Sequence, residues 1–193
     1  MIEADEFVFL WINGFVGRIP IIDAAMKWIV SDYLIPVSIS LTLVGLWFAG
    51  KDRAAREKHQ LCLFMAILSL ALTNWSVMII NGIYSRTRPF DAHEVSMLFY
   101  KPVDPSFPAN TAAAMFAISS TVWGINRRVG TALLLTSSIY GFARVYAGVH
   151  YPLDILGGAI IGIIIGFLVL KIRSFLDPVF TLLIRAARIL CLA

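Results

Sequence analysis

The chain is 193 residues long, 59% hydrophobic and only 15% charged, with a mean hydropathy of +0.81. Soluble domains carry about 25% charged residues, so this composition excludes an ordinary soluble globule, a disordered tail and a nucleic-acid-binding domain. The formal charge of +4, from 16 basic and 12 acidic residues, reads instead as Lys and Arg kept in the cytoplasmic loops of an integral membrane protein.

A membrane-crossing helix needs about 20 mostly apolar residues. The chain opens on an acidic stretch, MIEADEF, unlike the basic start of a cleavable signal peptide. Residues 7–16 are an apolar run followed by Gly17, Arg18 and Pro20. That run is too short to cross alone and is expected at the interface. Five longer apolar stretches follow, at 33–50, 61–84, 107–126, 129–143 and 155–170. The fourth can continue through Arg144 to Val149, and the fifth can begin near Tyr151. On the fifth, Gly157, Gly158, Gly162 and Gly166 predict close helix packing. Residues 174–193 mix Arg185 and Arg188 with Phe180, Leu183, Ile184 and Leu190, the pattern of an amphipathic helix on the membrane surface. Cys62 and Cys191 lie far apart in the chain, with no metal-like spacing, so neither a disulfide nor a zinc site is expected. The expectation is one all-α integral membrane domain over residues 1–193, a bundle of five transmembrane helices, or six if an end segment also crosses.

Charge orients this bundle. Four Lys or Arg fall between positions 51 and 58, Arg127 and Arg128 follow the third stretch, and Lys171 and Arg173 follow the fifth. If the five stretches alternate, these groups share one side, which the positive-inside rule makes cytoplasmic. The connections 85–106 and 144–154 then face outward. They carry Arg86, Arg88, Lys101 and Arg144 against the rule, and ionisable residues so placed call for a functional reading.

His150 and Asp154 are four apart and would stack on one face if that stretch is helical. The aspartate could then accept a proton from one ring nitrogen and leave the other free to react. Arg88 and Arg144 offer planar forks suited to phosphate oxygens. Pro108 at the first turn of the third stretch would leave backbone N–H groups free to meet an anion. Such a set could carry out phosphoryl transfer with no metal or other cofactor. Bland readings compete: Arg86 and Arg88 as interfacial anchors, Arg144 as a snorkelling end residue, and His59 and His93 as surface residues.

Three blocks also carry a resemblance. Asn81-x6-Arg88-Pro89, then Pro108-Ala109-Asn110-Thr111, then Ala143-Arg144-x5-His150-x3-Asp154 follow in the order K-x6-R-P, P-S-G-H, S-R-x5-H-x3-D. The chain resembles, over about residues 30–172, the type 2 phosphatidic acid phosphatases. These are membrane lipid-phosphate phosphatases related to vanadium haloperoxidases. Small size and short loops make it most similar to the bacterial undecaprenyl-diphosphate phosphatases of the bacitracin-resistance type. The resemblance implies a multi-pass protein of the bacterial cell membrane, with its site facing outside. It implies a polyprenyl diphosphate lipid substrate among membrane lipids, with no nucleic-acid partner, and leaves oligomeric state open. His150 would be the nucleophile and Asp154 its orienting partner. Arg88 and Arg144 would hold the phosphate, with Asn81, Arg86, Ala109 and Asn110 contributing to binding.

Asn81 stands where the family has lysine, Ala143 where it has serine, and Ala109 and Thr111 where it has the serine and histidine of P-S-G-H. That histidine protonates the leaving group, which the Thr111 hydroxyl cannot do, and general acid catalysis is worth about 10²–10⁴ in rate. Three accounts stay open: residues 109 and 111 were exchanged to trap a complex, another group such as His93 takes over, or the chain binds lipid phosphates without turnover. A phosphatase for another lipid phosphate, such as phosphatidylglycerol phosphate, a channel or transporter pore, and a structural membrane-packing protein are the remaining alternatives.

Overall fold

A computed structural model describes residues 2–189, and every regular element among them is helical. In chain order these are α1 (Ile2–Asn13), α2 (Pro20–Ile29), α3 (Leu34–Phe48), α4 (Arg53–Ile83), α5 (Pro89–Ala92), α6 (Asn110–Ile125), α7 (Arg127–Tyr146), α8 (Pro152–Lys171) and α9 (Arg173–Ile189). Each of the five long apolar stretches therefore becomes a helix: α3, α4, α6, α7 and α8. By length and apolarity, α4 and α8 qualify as membrane crossings, and α2 with α3 forms a third candidate bent by 45°. The helix α2 was not foreseen. Pro20 at its first turn supplies the fixed φ that starts a helix, so the proline behind the first apolar run begins an element as well as ending one.

Local chemistry sets several boundaries. The Asp52 carboxylate accepts the Ala55 N–H at 2.7 Å and starts α4. Asn126 caps α7 through the Val129 N–H at 3.3 Å. Pro108 lies one residue before the N-cap Ala109, outside the first turn of α6 where the sequence suggested it.

The helix α6 is the axis of the bundle. It packs most extensively on α8 and also against α4 and α7. At 16 residues it is only about 24 Å long, but its neighbours surround it and residues 115–122 are all buried. Protein contact there relaxes the demand for apolar side chains that lipid would impose. Its hydroxyls pair across helices, Thr121 with Ser69 at 2.8 Å and Ser119 with Ser137 at 2.9 Å. The glycine row on α8 is what lets α6 approach. A Cβ on Gly158 would stand 2.5 Å from the Ala109 carbonyl oxygen, and one on Gly162 would overlap the Ala113 carbonyl.

The helix α9 turns back on α4, where Phe64 stacks on Phe180 with ring centroids 5.4 Å apart. Within the tail, Leu183 is exposed and Ile184 fully buried. Leu190 and Cys191, and the side chain of Arg188, lie outside the described residues. The helix α1 is anchored by polar contacts at the opposite end of the bundle. The Asn13 amide donates to the carbonyls of Ser96 and Tyr146, both at 2.9 Å.

Candidate active site

The C-terminal ends of α4 and α7 and the N-terminal ends of α6 and α8 meet beside the 85–106 connection. There they enclose a cavity of about 430 Å³. Its wall includes Arg88, Arg144, His150, Asn81, Asn110 and Thr111, residues the sequence singled out, together with Asp32, Tyr100 and Asp104, which it did not.

His150 is 3% exposed and lies in the turn before α8, not on the helix. Its Nδ1 is 3.0 Å from the Ser106 carbonyl oxygen, which can only accept, and its Nε2 is 3.2 Å from Arg88 Nη1, which can only donate. These two partners settle the tautomer: the proton sits on Nδ1 and the Nε2 lone pair accepts from Arg88. Burial pushes the His150 pKa below the ordinary imidazole range, opposed by Asp154 and reinforced by Arg88.

The sequence expectation that Asp154 takes the Nδ1 proton directly is corrected. The closest carboxylate oxygen stands 3.8 Å from Nδ1, beyond hydrogen-bond reach. Because His150 precedes the helix, an i,i+4 stack never forms. Instead Ser106 serves both groups, its carbonyl accepting from His150 and its hydroxyl donating to Asp154 Oδ2 at 2.5 Å. Asp154, fully buried, also accepts the Tyr151 N–H at 2.9 Å and Arg86 Nη1 at 2.7 Å.

Arg86, expected in substrate binding, does not line this cavity but the neighbouring one, which shares Arg88, Pro102 and Asp104 with it. Its guanidinium bridges Asp154 and Asp5, the latter at 2.8 Å, and stacks 4.0 Å from the Tyr151 ring centroid. Burial opposes the charge on Arg86, but its bonds to the two carboxylates outweigh burial and raise its pKa. Ala109 is likewise corrected. It is fully buried and offers no side chain to a ligand, while its N–H donates to the Asp154 carbonyl at 3.1 Å. As N-cap it brings no side-chain bond to the first turn of α6, whose N–H groups need partners. Asn110 and Thr111 in that turn line the cavity. The Thr111 Oγ1 and Asn81 Oδ1 are buried without a hydrogen-bond partner. His93 does not line the cavity; it stands edge-on to Tyr151, 6.3 Å away between centroids.

Both cavity arginines are well held. Arg88 donates through Nε to the Asp104 carbonyl at 2.8 Å, through Nη1 to the Val149 carbonyl at 3.1 Å, and through Nη2 to the Asp104 carboxylate at 2.9 Å. Arg144 donates through Nε to the Tyr140 hydroxyl at 3.0 Å, lies over the Phe99 ring at 4.5 Å, and pairs with Asp32 at 2.7 Å. The reading of Arg144 as a snorkelling end residue does not survive: it is 3% exposed and faces inward.

These features describe a helical membrane protein whose polar end gathers a buried histidine and two buried arginines around one cavity, beside a helix N-terminus with no side-chain cap. Residues 62–177 match the PAP2 superfamily. Undecaprenyl-diphosphatase BcrC of Bacillus subtilis (strain 168) is 32% identical over 182 residues, covering 92% of this chain and 89% of that protein. The crystal structure of Aquifex aeolicus LpxE superposes with a TM-score of 0.64 at 30% identity, covering 85% of this chain and 93% of that one. A transmembrane PAP2-type phosphatidylglycerolphosphate phosphatase from Bacillus subtilis shares the fold, with a TM-score of 0.64 at 20% identity over 89% of this chain and 85% of its own. The chain belongs to the PAP2 superfamily.

Proposed function

We propose that the chain is a phosphatase that removes the terminal phosphate of a polyprenyl diphosphate, converting undecaprenyl diphosphate to undecaprenyl phosphate at the outer face of a bacterial membrane. The observation that carries this reading is the buried His150 on the cavity wall, its proton held on Nδ1 and its unprotonated Nε2 accepting from Arg88. The name of the Bacillus subtilis relative supports the choice of lipid.

In this mechanism Arg88 Nη1 moves from Nε2 to a phosphate oxygen, and the released Nε2 lone pair attacks the terminal phosphorus while the bond to the bridging oxygen breaks and the lipid phosphate leaves with the electron pair. The product is a phosphohistidine that still carries its Nδ1 proton. Asp154, 3.8 Å from Nδ1, offsets the positive charge that develops on the ring. Arg88, Arg144 and the open N–H groups of α6 stabilise the equatorial oxygens. Water then attacks phosphorus, releases inorganic phosphate and restores the imidazole.

Thr111 sharpens the substrate class. A hydroxyl cannot donate a proton to a departing alkoxide at neutral pH, whereas a phosphate leaving group departs without one. The missing acid thus favours a phosphoanhydride over a simple phosphate ester. The prenyl chain lies along the apolar walls between helices, and five crossings by α3, α4, α6, α7 and α8 put the basic turns inside. The whole chain acts as one domain, because α1 and the α2–α3 turn supply Asp5 and Asp32.

The test is phosphate release from undecaprenyl diphosphate by purified protein in detergent with EDTA. Release from the given chain and none from His150→Ala is the expected result. Release only after Ala109→Ser with Thr111→His would mark the chain as an inactivated binder, and silence from all versions would overturn the phosphatase reading.

A further inference from the structure

Two carboxylates that the proposed mechanism does not use face the cavity, one on each arginine. Asp104 sits on Arg88 at 2.9 Å and Asp32 on Arg144 at 2.7 Å. Their side chains are 50% and 40% exposed, against 4% for each arginine. They come from unrelated parts of the chain, Asp32 from the turn between α2 and α3 and Asp104 from the 85–106 connection. Both are cavity-lining residues.

Neither carboxylate is needed to place its arginine. Arg88 keeps the carbonyls of Asp104 and Val149, and Arg144 keeps the Tyr140 hydroxyl and the Phe99 ring, when the carboxylates let go. Each arginine thus has other partners that position it, besides the exposed carboxylate that pairs with it at the cavity. Asp32 has its own alternative partner, since the Tyr100 hydroxyl donates to its Oδ2 at 2.9 Å.

We infer that Asp32 and Asp104 are displaceable stand-ins for phosphate, which hold the two arginines against singly charged phosphodiesters and yield to a ligand carrying two or more charges. This rests on the phosphatase reading and specifies its selectivity. A membrane presents phosphodiester headgroups in large excess over any diphosphate carrier. A diester monoanion offers each arginine no more charge than the carboxylate already there, so exchange gains nothing. A terminal phosphate of higher charge engages both forks at once and displaces both carboxylates. The apparent affinity of every anion is reduced by the fraction of arginine still occupied, and a monoanion has the least free energy with which to overcome that.

The experiment measures binding of inorganic phosphate and of dimethyl phosphate to the full chain in detergent by calorimetry, so it needs no turnover. The variants are Asp32→Asn and Asp104→Asn, isosteric exchanges that remove the charge, with Asp32→Glu as the charge-retaining control. The expected result is a tighter phosphate Kd by about fivefold in each Asn variant, the scale of one partly exposed ion pair. A larger gain for dimethyl phosphate should narrow the ratio between the two ligands, while Asp32→Glu stays near the parent. Unchanged or weaker Kd values in both Asn variants, or an unchanged ratio, would overturn the inference and leave the phosphatase reading standing. Binding of neither ligand to any version would remove both.

Discussion

The space beneath His150 and the space in front of it are built on opposite principles. Beneath it, Ser106, Asp154, Arg86 and Asp5 form a closed chain of hydrogen bonds in which both carboxylates are buried and multiply bonded. In front, the Thr111 and Asn81 oxygens lack partners, the first turn of α6 has no side-chain cap, and the arginines lean on exposed carboxylates. A fully satisfied buried network is rigid and costly to disturb, whereas an incomplete one invites a ligand. The floor sets the orientation of the imidazole before any substrate arrives. On the proposed function, the mouth is left for the substrate to complete.

That contrast can be broken most severely at its centre. His150→Ala removes the group shared by both halves, and phosphate release should fall by about 10⁴-fold or more, measured in the detergent assay. Restoring an acid at the mouth is the next largest effect. Thr111→His with Ala109→Ser should raise kcat on a simple lipid phosphate ester by about 10²-fold or more and raise it less on a diphosphate, read as the ratio of the two substrates.

Disturbing the floor at its far end should do less. Asp5→Asn loosens Arg86 and, through it, Asp154, so kcat should drop about tenfold with KM nearly unchanged. A rise in KM alone would mean that Asp5 serves the mouth instead. The smallest effect is one of pH. Burial holds His150 neutral below its ordinary range, so the nucleophilic form persists as pH falls and is lost only below the depressed pKa. The acid limb of kcat/KM should therefore lie below about pH 6.5, the value for an unperturbed imidazole. Because Asp154 raises the His150 pKa, Asp154→Asn should move that limb lower still, which a pH profile of the residual activity would show.

Much was legible in the sequence because membrane insertion and phosphate chemistry constrain residue type locally. Runs of apolar residues between charged turns located α3, α4, α6, α7 and α8, since a lipid-facing backbone must satisfy its own hydrogen bonds in a helix. The spacing of Arg88, Arg144, His150 and Asp154, and the glycine row of α8, are likewise written in short stretches of chain. What lay beyond reach depended on contacts between distant segments. Nothing near Asp32 marks it as a partner of Arg144, 112 positions away, and Asp5 meets Arg86 across 81. Arg86 and Arg88 share one motif, yet one turns to the floor and the other to the mouth, a choice made by which carboxylates the folded helices bring within reach. The same holds for His150 and Asp154. Their spacing suggested a direct bond, but the start of α8 falls between them, and the carbonyl of Ser106, 44 positions before the histidine, accepts the Nδ1 hydrogen bond instead. Residue chemistry decided what kind of site this chain can carry. Only the packing of its helices decided which atoms meet, because a hydrogen bond depends on a few tenths of an ångström that no spacing along the chain specifies.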